Sequence, residues 1–336
     1  MRDHRELMDH WGQGGEDAAA AWRRTARAFA AAAESGRLDL PLPGSGATRD
    51  RWAALADLAG EDLSLARLGE GHADAVAILA ELGGPRPQPG SRWGVWAANP
   101  PGPNVTATRR QNGWLLRGAK QYCSGARICT DVLVTAVADD GARLFAVDTE
   151  LLEPDVCSWP ATGMAGSDTL DVGFPGVPAV AVGPPDAYTN RPGFSHGGVG
   201  VAACWYGGAR GVAQALLRAA SKRDIGPHAL AHLGAVDLGL RTARAALDQA
   251  ADEIDADPGD LRGEGPLRAL RVRALTEAVA ADVLTRTGRA LGAGPLGHDE
   301  AHSRAVADLT VYLRQHHAER DLARLGELVA EQGAAW

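Results

Sequence analysis

The chain is poor in lysine, cysteine and long apolar runs. Of its 34 basic residues only Lys120 and Lys222 are lysines, so nearly all of its positive charge is guanidinium. The net charge is −8, which argues against nucleic acid as a partner because a phosphate backbone is gripped by a basic face. No stretch of about 18 apolar residues occurs, and no apolar run follows the basic start. Neither a membrane span nor a secretory leader is therefore expected, and the chain reads as cytoplasmic. The four cysteines, Cys123, Cys129, Cys157 and Cys204, make no Cys-x-x-Cys pair. They read as buried reduced thiols, with no metal site. No glycine-rich phosphate loop of the Rossmann or P-loop kind appears, which removes a nicotinamide site.

What is present is helix, then strand, then helix. The 336 residues, 45% of them hydrophobic, suffice for one large domain or two to three ordinary ones. An alanine-rich segment over 16–33 carries Trp22, Ala26 and Phe29 at helical spacing and stops at Gly36 and Pro41-Leu42-Pro43-Gly44. A second helix is expected over 48–59. A third starts near Asp62 and aligns Leu65, Leu68, His72, Val76 and Leu79, ending at Gly83-Gly84-Pro85. Between residues 93 and 185 the apolar runs become strand-length and β-branched, as in Asp131–Val137 and Arg143–Val147, with a turn at Asp140-Gly141. Pro175, Pro178, Pro184 and Pro185 mark the far edge of this region. Helical periodicity returns over 200–220, 229–254, 267–291 and 301–330, an antiparallel four-helix pattern. The expected fold class is α+β: an N-terminal helical domain (1–90), a central antiparallel β-domain (91–188) and a C-terminal four-helix bundle (189–336).

Two strings give this arrangement a resemblance. Gly113-Trp114-Leu115-Leu116-Arg117-Gly118-Ala119-Lys120-Gln121-Tyr122-Cys123-Ser124 and Gly163-Met164-Ala165-Gly166-Ser167-Asp168-Thr169 resemble two signatures of the acyl-CoA dehydrogenase superfamily of flavoproteins. The Leu63–His72 pattern, with Arg67, is similar to that of small members. The resemblance implies a shortened N-terminal domain, an FAD cofactor and a homodimer or homotetramer. It also implies residue roles. Tyr122 and Trp96 would wall the flavin ring and Ser124 would donate to its edge. Ala98, where members carry a hydroxyl, would offer only its backbone N–H. Lys222, or Arg223 beside it, would meet the flavin phosphates across the dimer interface, near a turn at Gly292.

The catalytic base is where the chain departs most. Members that desaturate acyl thioesters place a Glu about two turns after an Arg-Asp pair in the last long helix. Asp308 matches that pair, and the Glu position holds His316. An imidazole titrates near neutrality and serves as base or acid, so His316 is the expected base. Glu319 and Glu277 are the fallbacks. His316 and His317 cannot both face one pocket from a regular helix. His196 reads as a turn residue near the pocket mouth.

The resemblance thus implies an FAD-dependent oxidoreductase that desaturates an acyl-CoA or a carrier-protein thioester. A base takes the proton next to the thioester while hydride leaves the next carbon, with an electron-accepting flavoprotein as a further partner. Two rivals stand beside it. One is a flavin monooxygenase of the same fold acting on a small molecule, because members of that kind also place His near the flavin. The other is a flavin-free relative serving as a partner subunit, motivated by the altered contact positions.

Overall fold

The computed structural model describes residues 20–333 except 103 and 112. The first four residues of the expected first helix lie outside the described residues. Helix α1 runs over 20–34, with Phe29 fully buried and Trp22 and Ala26 packed beside it. Helices α2 (Thr48–Glu61) and α3 (Leu63–Leu82) follow. Asp62 parts them because its carboxylate accepts the Leu65 N–H at 3.0 Å and so caps α3. Gly83, in the left-handed region, ends α3. Leu65, Leu68, His72 and Leu79 are buried along one side, as their spacing predicts, and Val76 among them is half-buried.

Seven strands are described: β1 (Trp93–Trp96), β2 (Thr106–Arg110), β3 (Gly113–Cys123), β4 (Asp131–Ala138), β5 (Gly141–Asp148), β6 (Glu153–Asp155) and β7 (Leu170–Val182). The order β4-β2-β3-β7-β5 closes on itself because β5 also pairs with β4. The result is a small barrel, with β1 outside β4 and β6 beside β7. The expected turn between β4 and β5 is present, with Asp139 and Asp140 as its loop and Gly141 at φ 128°.

Two expectations about this sheet need correction. It is not wholly antiparallel: β1 pairs with β4 in parallel, Trp93 opposite Asp131 through Trp96 opposite Val134. Parallel partners need a long crossover, and here the β2–β3 hairpin supplies it. Pro175 and Pro178 do not mark an edge but lie inside β7. They are accommodated where the β3–β7 register shifts between Leu116 and Arg117, a bulge that relieves the missing N–H donors.

After the short α4 (Ala187–Asn190) come α5 (Pro192–Lys222), α6 (Gly226–Ala256) and α7 (Gly265–Leu291), each longer than its periodicity indicated. The expected fourth helix is not continuous. After α8 (Gly294–His298), α9 (Glu300–Tyr312) passes into a 3-10 turn over Leu313–Gln315, and α10 (Glu319–Gln332) begins anew. His316 is extended and Ala318 has φ +48°, which no helix allows. The break is held by the Asp321 carboxylate, which accepts the His317 N–H at 3.0 Å. No Gly or Pro marks it in the sequence.

Small residues set how closely the helices approach. A Cβ on Gly207 of α5 would overlap the Ala56 carbonyl of α2, and one on Gly208 would meet the Leu63 side chain. Two polar fasteners then join the β-domain to helices. The Arg127 guanidinium pairs with Asp168 and lies 4.1 Å from the Trp22 ring centre on α1. The Asp308 carboxylate of α9 accepts the Met164 N–H.

Two outcomes follow from this packing. Gly207→Val is expected to lower the unfolding free energy by about 2–3 kcal/mol through overpacking, whereas Gly234→Ala, at an uncrowded site within α6, should raise it by about 0.5–1 kcal/mol; urea unfolding reads both. Burial pushes the Asp308 carboxyl up to about 6, despite the Met164 N–H. A raised acid is protonated in the folded chain before the unfolded one, so its contribution to stability declines as pH rises from about 4 to 6. Asp308→Asn keeps the acceptor and removes the charge. The stability difference between pH 4 and pH 6.5 should then shrink by roughly 2 kcal/mol.

Candidate functional site

The site begins at the end of β3. The register against β7 shifts between Lys120 and Cys123, and Tyr122 sits at φ +60°. A left-handed tyrosine costs on the order of 1 kcal/mol, so the surrounding structure must impose it. The bulge turns the phenol outward, where it is 53% exposed. Its ring meets Trp159 edge to face, with centroids 6.5 Å apart. The Trp159 indole N–H donates to the Gly163 carbonyl at 3.3 Å, and Gly163 in turn abuts Ala307 and Val311 of α9. An aromatic patch of exposed Tyr122 and half-buried Trp159 therefore stands on the β-domain near α9.

Behind the patch lies a directional hydrogen-bond chain. The Ser167 hydroxyl donates to the Met164 carbonyl at 2.7 Å, which leaves it to accept from Thr169 at 2.7 Å. Thr169 must then accept from Ser124 at 2.9 Å, and Ser124 accepts the Arg67 Nε–H at 3.3 Å. The Ser124 proton is thus committed to Thr169. That bears against the expectation that Ser124 donates to a ligand edge, since the donor at this position is Arg67. Trp96 does not form an open wall either. It is 1% exposed, and its indole N–H donates to the Ser124 carbonyl at 2.9 Å, so it braces the site from beneath. Ala98 is exposed in the loop after β1. Next to it, Asn99 accepts from the buried Lys120 ammonium at 2.7 Å, and burial holds that ammonium down at about 8.

Arg67, half-buried, is bound at 2.5 Å to the buried Glu70, both within α3. Burial works against the Arg67 charge, but Glu70 outweighs it and holds the guanidinium above its ordinary range. Burial pushes the Glu70 carboxyl up against the pull of Arg67, so Glu70 is the partner that a proton reaches first. The space left between Arg67, Ser124 and β1 is about 10 Å³, enough for one water at most.

On the bundle side three aromatic residues gather. Trp205 of α5 meets Tyr312 at 6.4 Å and His316 at 6.3 Å, both edge to face. Trp205 Nε1, the Tyr312 hydroxyl and His316 Nε2 are all buried without a hydrogen-bond partner. Such groups normally have one, so three in a single cluster call for a ligand or water. His316 is 4% exposed and His317 faces out; the pair lies in the break before α10, so extended backbone and not helix geometry parts the two side chains. The Ala318 N–H donates to His316 Nδ1 at 3.2 Å. In the neutral ring the proton therefore sits on Nε2, the unpartnered nitrogen. Burial lowers the His316 pKa, opposed by Asp321 and Glu277, which favours that neutral form. The Arg273 guanidinium covers the Trp205 ring at 4.7 Å and donates to the Gln315 carbonyl, steadying the turn that carries His316.

Glu277 comes near enough to act on His316 but is bound to Arg314 at 2.7 Å. The other expected residues are not brought here. Glu319 is exposed at the start of α10. Lys222 and Gly292 are exposed at the ends of α5 and α7. Lys222 stands 17 residues beyond Trp205, about 25 Å along the helix. His196 lies toward the opposite end of α5, bonded to Pro258. Sequence reasoning missed the Glu70, Trp205 and Tyr312 contributions. The available signal was a charged pair three residues apart, Arg67 and Glu70, inside an otherwise apolar helix. Among the described residues no three His, Cys, Asp or Glu side chains gather as metal ligands, and no helix is long and apolar enough to cross a membrane.

No protein-family model and no curated protein matches the chain in sequence. Solved structures do match it in shape. The dibenzothiophene monooxygenase TdsC from Paenibacillus sp. A11-2, in complex with FMN and indole, superposes with a TM-score of 0.73 at 17% identity, over 94% of this chain and 97% of that one. The nitrososynthase from Micromonospora carbonacea var. africana gives 0.74 at 20% identity, over 99% and 96%. The 3-HSA hydroxylase from Rhodococcus sp. RHA1 gives 0.76 at 17% identity, over 99% and 97%. At these identities the likeness is one of architecture: the chain has the acyl-CoA dehydrogenase fold.

Proposed function

We propose that the chain is a flavin-dependent oxidoreductase that acts with oxygen on a small molecule. The observation that carries the reading is the exposed aromatic patch of Tyr122 and Trp159, a surface held out at the expense of backbone strain. A flat tricyclic ring needs such faces and polar donors at its edge. The residues present fit that need in kind: Tyr122 and Trp159 offer aromatic faces, and the unpartnered polar atoms of Trp205, Tyr312 and His316 lie between α5 and the turn after α9. TdsC, of the same fold, is described with FMN and indole, and the other neighbours named above are a nitrososynthase and a hydroxylase. A bound flavin supplies the two-electron exchange. The chain's own residues bind and orient: Tyr122 and Trp159 pack against the ring, the Arg67 guanidinium offers positive charge, and His316 Nε2–H donates to an oxygen that gains negative charge. FMN needs only the contacts that one chain offers. FAD, the form expected from the sequence, needs Lys222 and Gly292 from a second protomer, which also makes a homodimer part of that version.

Thioester desaturation fits less well. It needs a base, and the lone pair of His316 Nδ1 is covered by the Ala318 N–H while Glu319 faces solvent. The 10 Å³ beside Ser124 gives an acyl chain no room. The same filled interior favours a second reading, a flavin-free partner subunit.

Titrating the purified protein with FMN and with FAD separates these readings. Quenching of flavin fluorescence with a shifted visible spectrum is the expected result; a protein that stays colourless with both flavins belongs to the second reading. Tyr122→Ser should weaken flavin binding by about tenfold with an unchanged circular dichroism spectrum. With flavin bound, substrate-dependent oxygen uptake is expected with indole as the first substrate tried, and anaerobic bleaching by an acyl thioester would instead restore the desaturase. His316→Ala should cut that uptake by about a hundredfold or more while flavin affinity stays near that of the parent.

A further inference from the structure

Helix α10 lies against α7 yet commits little to it. Its described side chains are all half-buried or exposed, whereas α9, with 13 residues to its 14, buries His302, Asp308, Leu309 and Tyr312. Leu325, Leu328 and Val329 are half-buried on its apolar face, and Leu322, on the same face, is 51% exposed. Among the described residues no side chain of α10 makes an ion pair or hydrogen bond to another helix. Beyond its first turn the one such pair, Arg324 with Glu327, is internal.

The joint before α10 is strained. Ala318 takes φ 48° with ψ −120°, a conformation that a Cβ disfavours and that glycine adopts freely. Ala318 gives α10 no side-chain cap, so the entry of the helix rests on one carboxylate of its first turn. Asp321 accepts the His317 N–H at 3.0 Å, and its other oxygen lies 3.3 Å from His317 Nδ1. The first oxygen also stands 3.8 Å from His316 Nε2, the nitrogen without a hydrogen bond. Asp321 keeps 17% of its side chain exposed and His316 2%, so the carboxylate lies on the solvent side of the imidazole. We propose that α10 is a lid: undocking about residues 316–318 lifts Asp321 off His316 and admits a small molecule to Nε2. The proposal rests on the reading of His316 as the donor of the site. Two opposed effects set how often the lid opens. Relief of the Ala318 strain favours opening, and loss of the Asp321 bonds and of the half-buried apolar contacts opposes it.

Diethyl pyrocarbonate, which acylates accessible imidazoles, is the probe, with the rate at each histidine read by mass spectrometry on the full chain without flavin. Amide hydrogen exchange over 319–332 is followed alongside. His316, 4% exposed, is expected to react about tenfold or more faster than His196 and His72, which are 2% and 6% exposed and lie under no such helix. Asp321→Ala removes hydrogen bonds to a charged group and should speed the reaction at His316 about tenfold. Ala318→Gly removes strain from the closed form and should slow it about threefold. Amide exchange along α10 should change by the same factors. His316 reacting no faster than His196 and His72 overturns the lid, as does an Ala318→Gly chain in which His316 reacts faster. Variants that change exchange in α10 without changing His316 overturn it too, because a helix that merely frays behaves that way. Ala318→Gly favours the closed chain, so it decides the matter even if Asp321→Ala fails to fold. Flavin titration is scored apart: a colourless chain whose His316 still opens keeps the lid and loses the flavin, and a flavin-binding chain whose His316 stays unreactive does the reverse.

Discussion

The interior depends on one buried ion pair and the chain of hydrogen bonds that leaves it. Taking a guanidinium and a carboxylate out of water costs several kcal/mol for each ion, and the pair persists only where further hydrogen bonds complete it. Arg67 has that completion. It holds Glu70 on one side and, through Ser124, Thr169 and Ser167, reaches the Met164 carbonyl on the other. The Met164 N–H continues to Asp308 on α9. One polar line therefore runs from the N-terminal helices, through the β-domain, to the C-terminal bundle. Because each hydroxyl donates in the same sense, reversing one link reverses its neighbours, and the segments it joins are held in a single register.

That line separates a side whose hydrogen bonds are complete from a side where they are not. Toward the core, Trp96 and the Ser124 chain are satisfied and closely packed. Toward α5 and α9, Trp205, Tyr312 and His316 carry unpartnered polar atoms. Outside, Tyr122 is strained and exposed beside Trp159. Unsatisfied buried groups and left-handed side chains both destabilise a fold, so their concentration in one region marks where the molecule departs from packing for its own sake. The helix break at His316 belongs to the same region, since a continuous helix would have set that imidazole by helical spacing alone.

Much of the architecture was legible because it rests on periodicity and local turn chemistry. The 3.6-residue spacing located α3, α5, α6 and α7. Asp62 as a cap and Asp140-Gly141 as a turn were readable from a few neighbouring residues. The Gly113–Ser124 string marked β3 and placed Tyr122 beside Ser124. Less legible was anything decided by residues far apart in the chain. The parallel pairing of β1 with β4 depends on a hairpin folding out between them. Pro175 and Pro178 read as breakers because only the partner strand reveals the bulge that admits them. The break before α10 has no Gly or Pro, since Asp321 and the backbone of Ala318 make it.

Local sequence determined the order of elements, their periodic faces and the aromatic and basic residues from which a site can be built. It did so because propensity, capping and hydrophobic spacing act within a few residues. Tertiary structure decided which of those residues face each other and in what hydrogen-bonding role. It turned Trp96 inward and Tyr122 outward, committed the Ser124 proton to Thr169, and left His316 with its free nitrogen as a donor. The direction of a proton depends on every partner in three dimensions, and those partners here come from α3, β3, the 163–169 loop and the turn after α9.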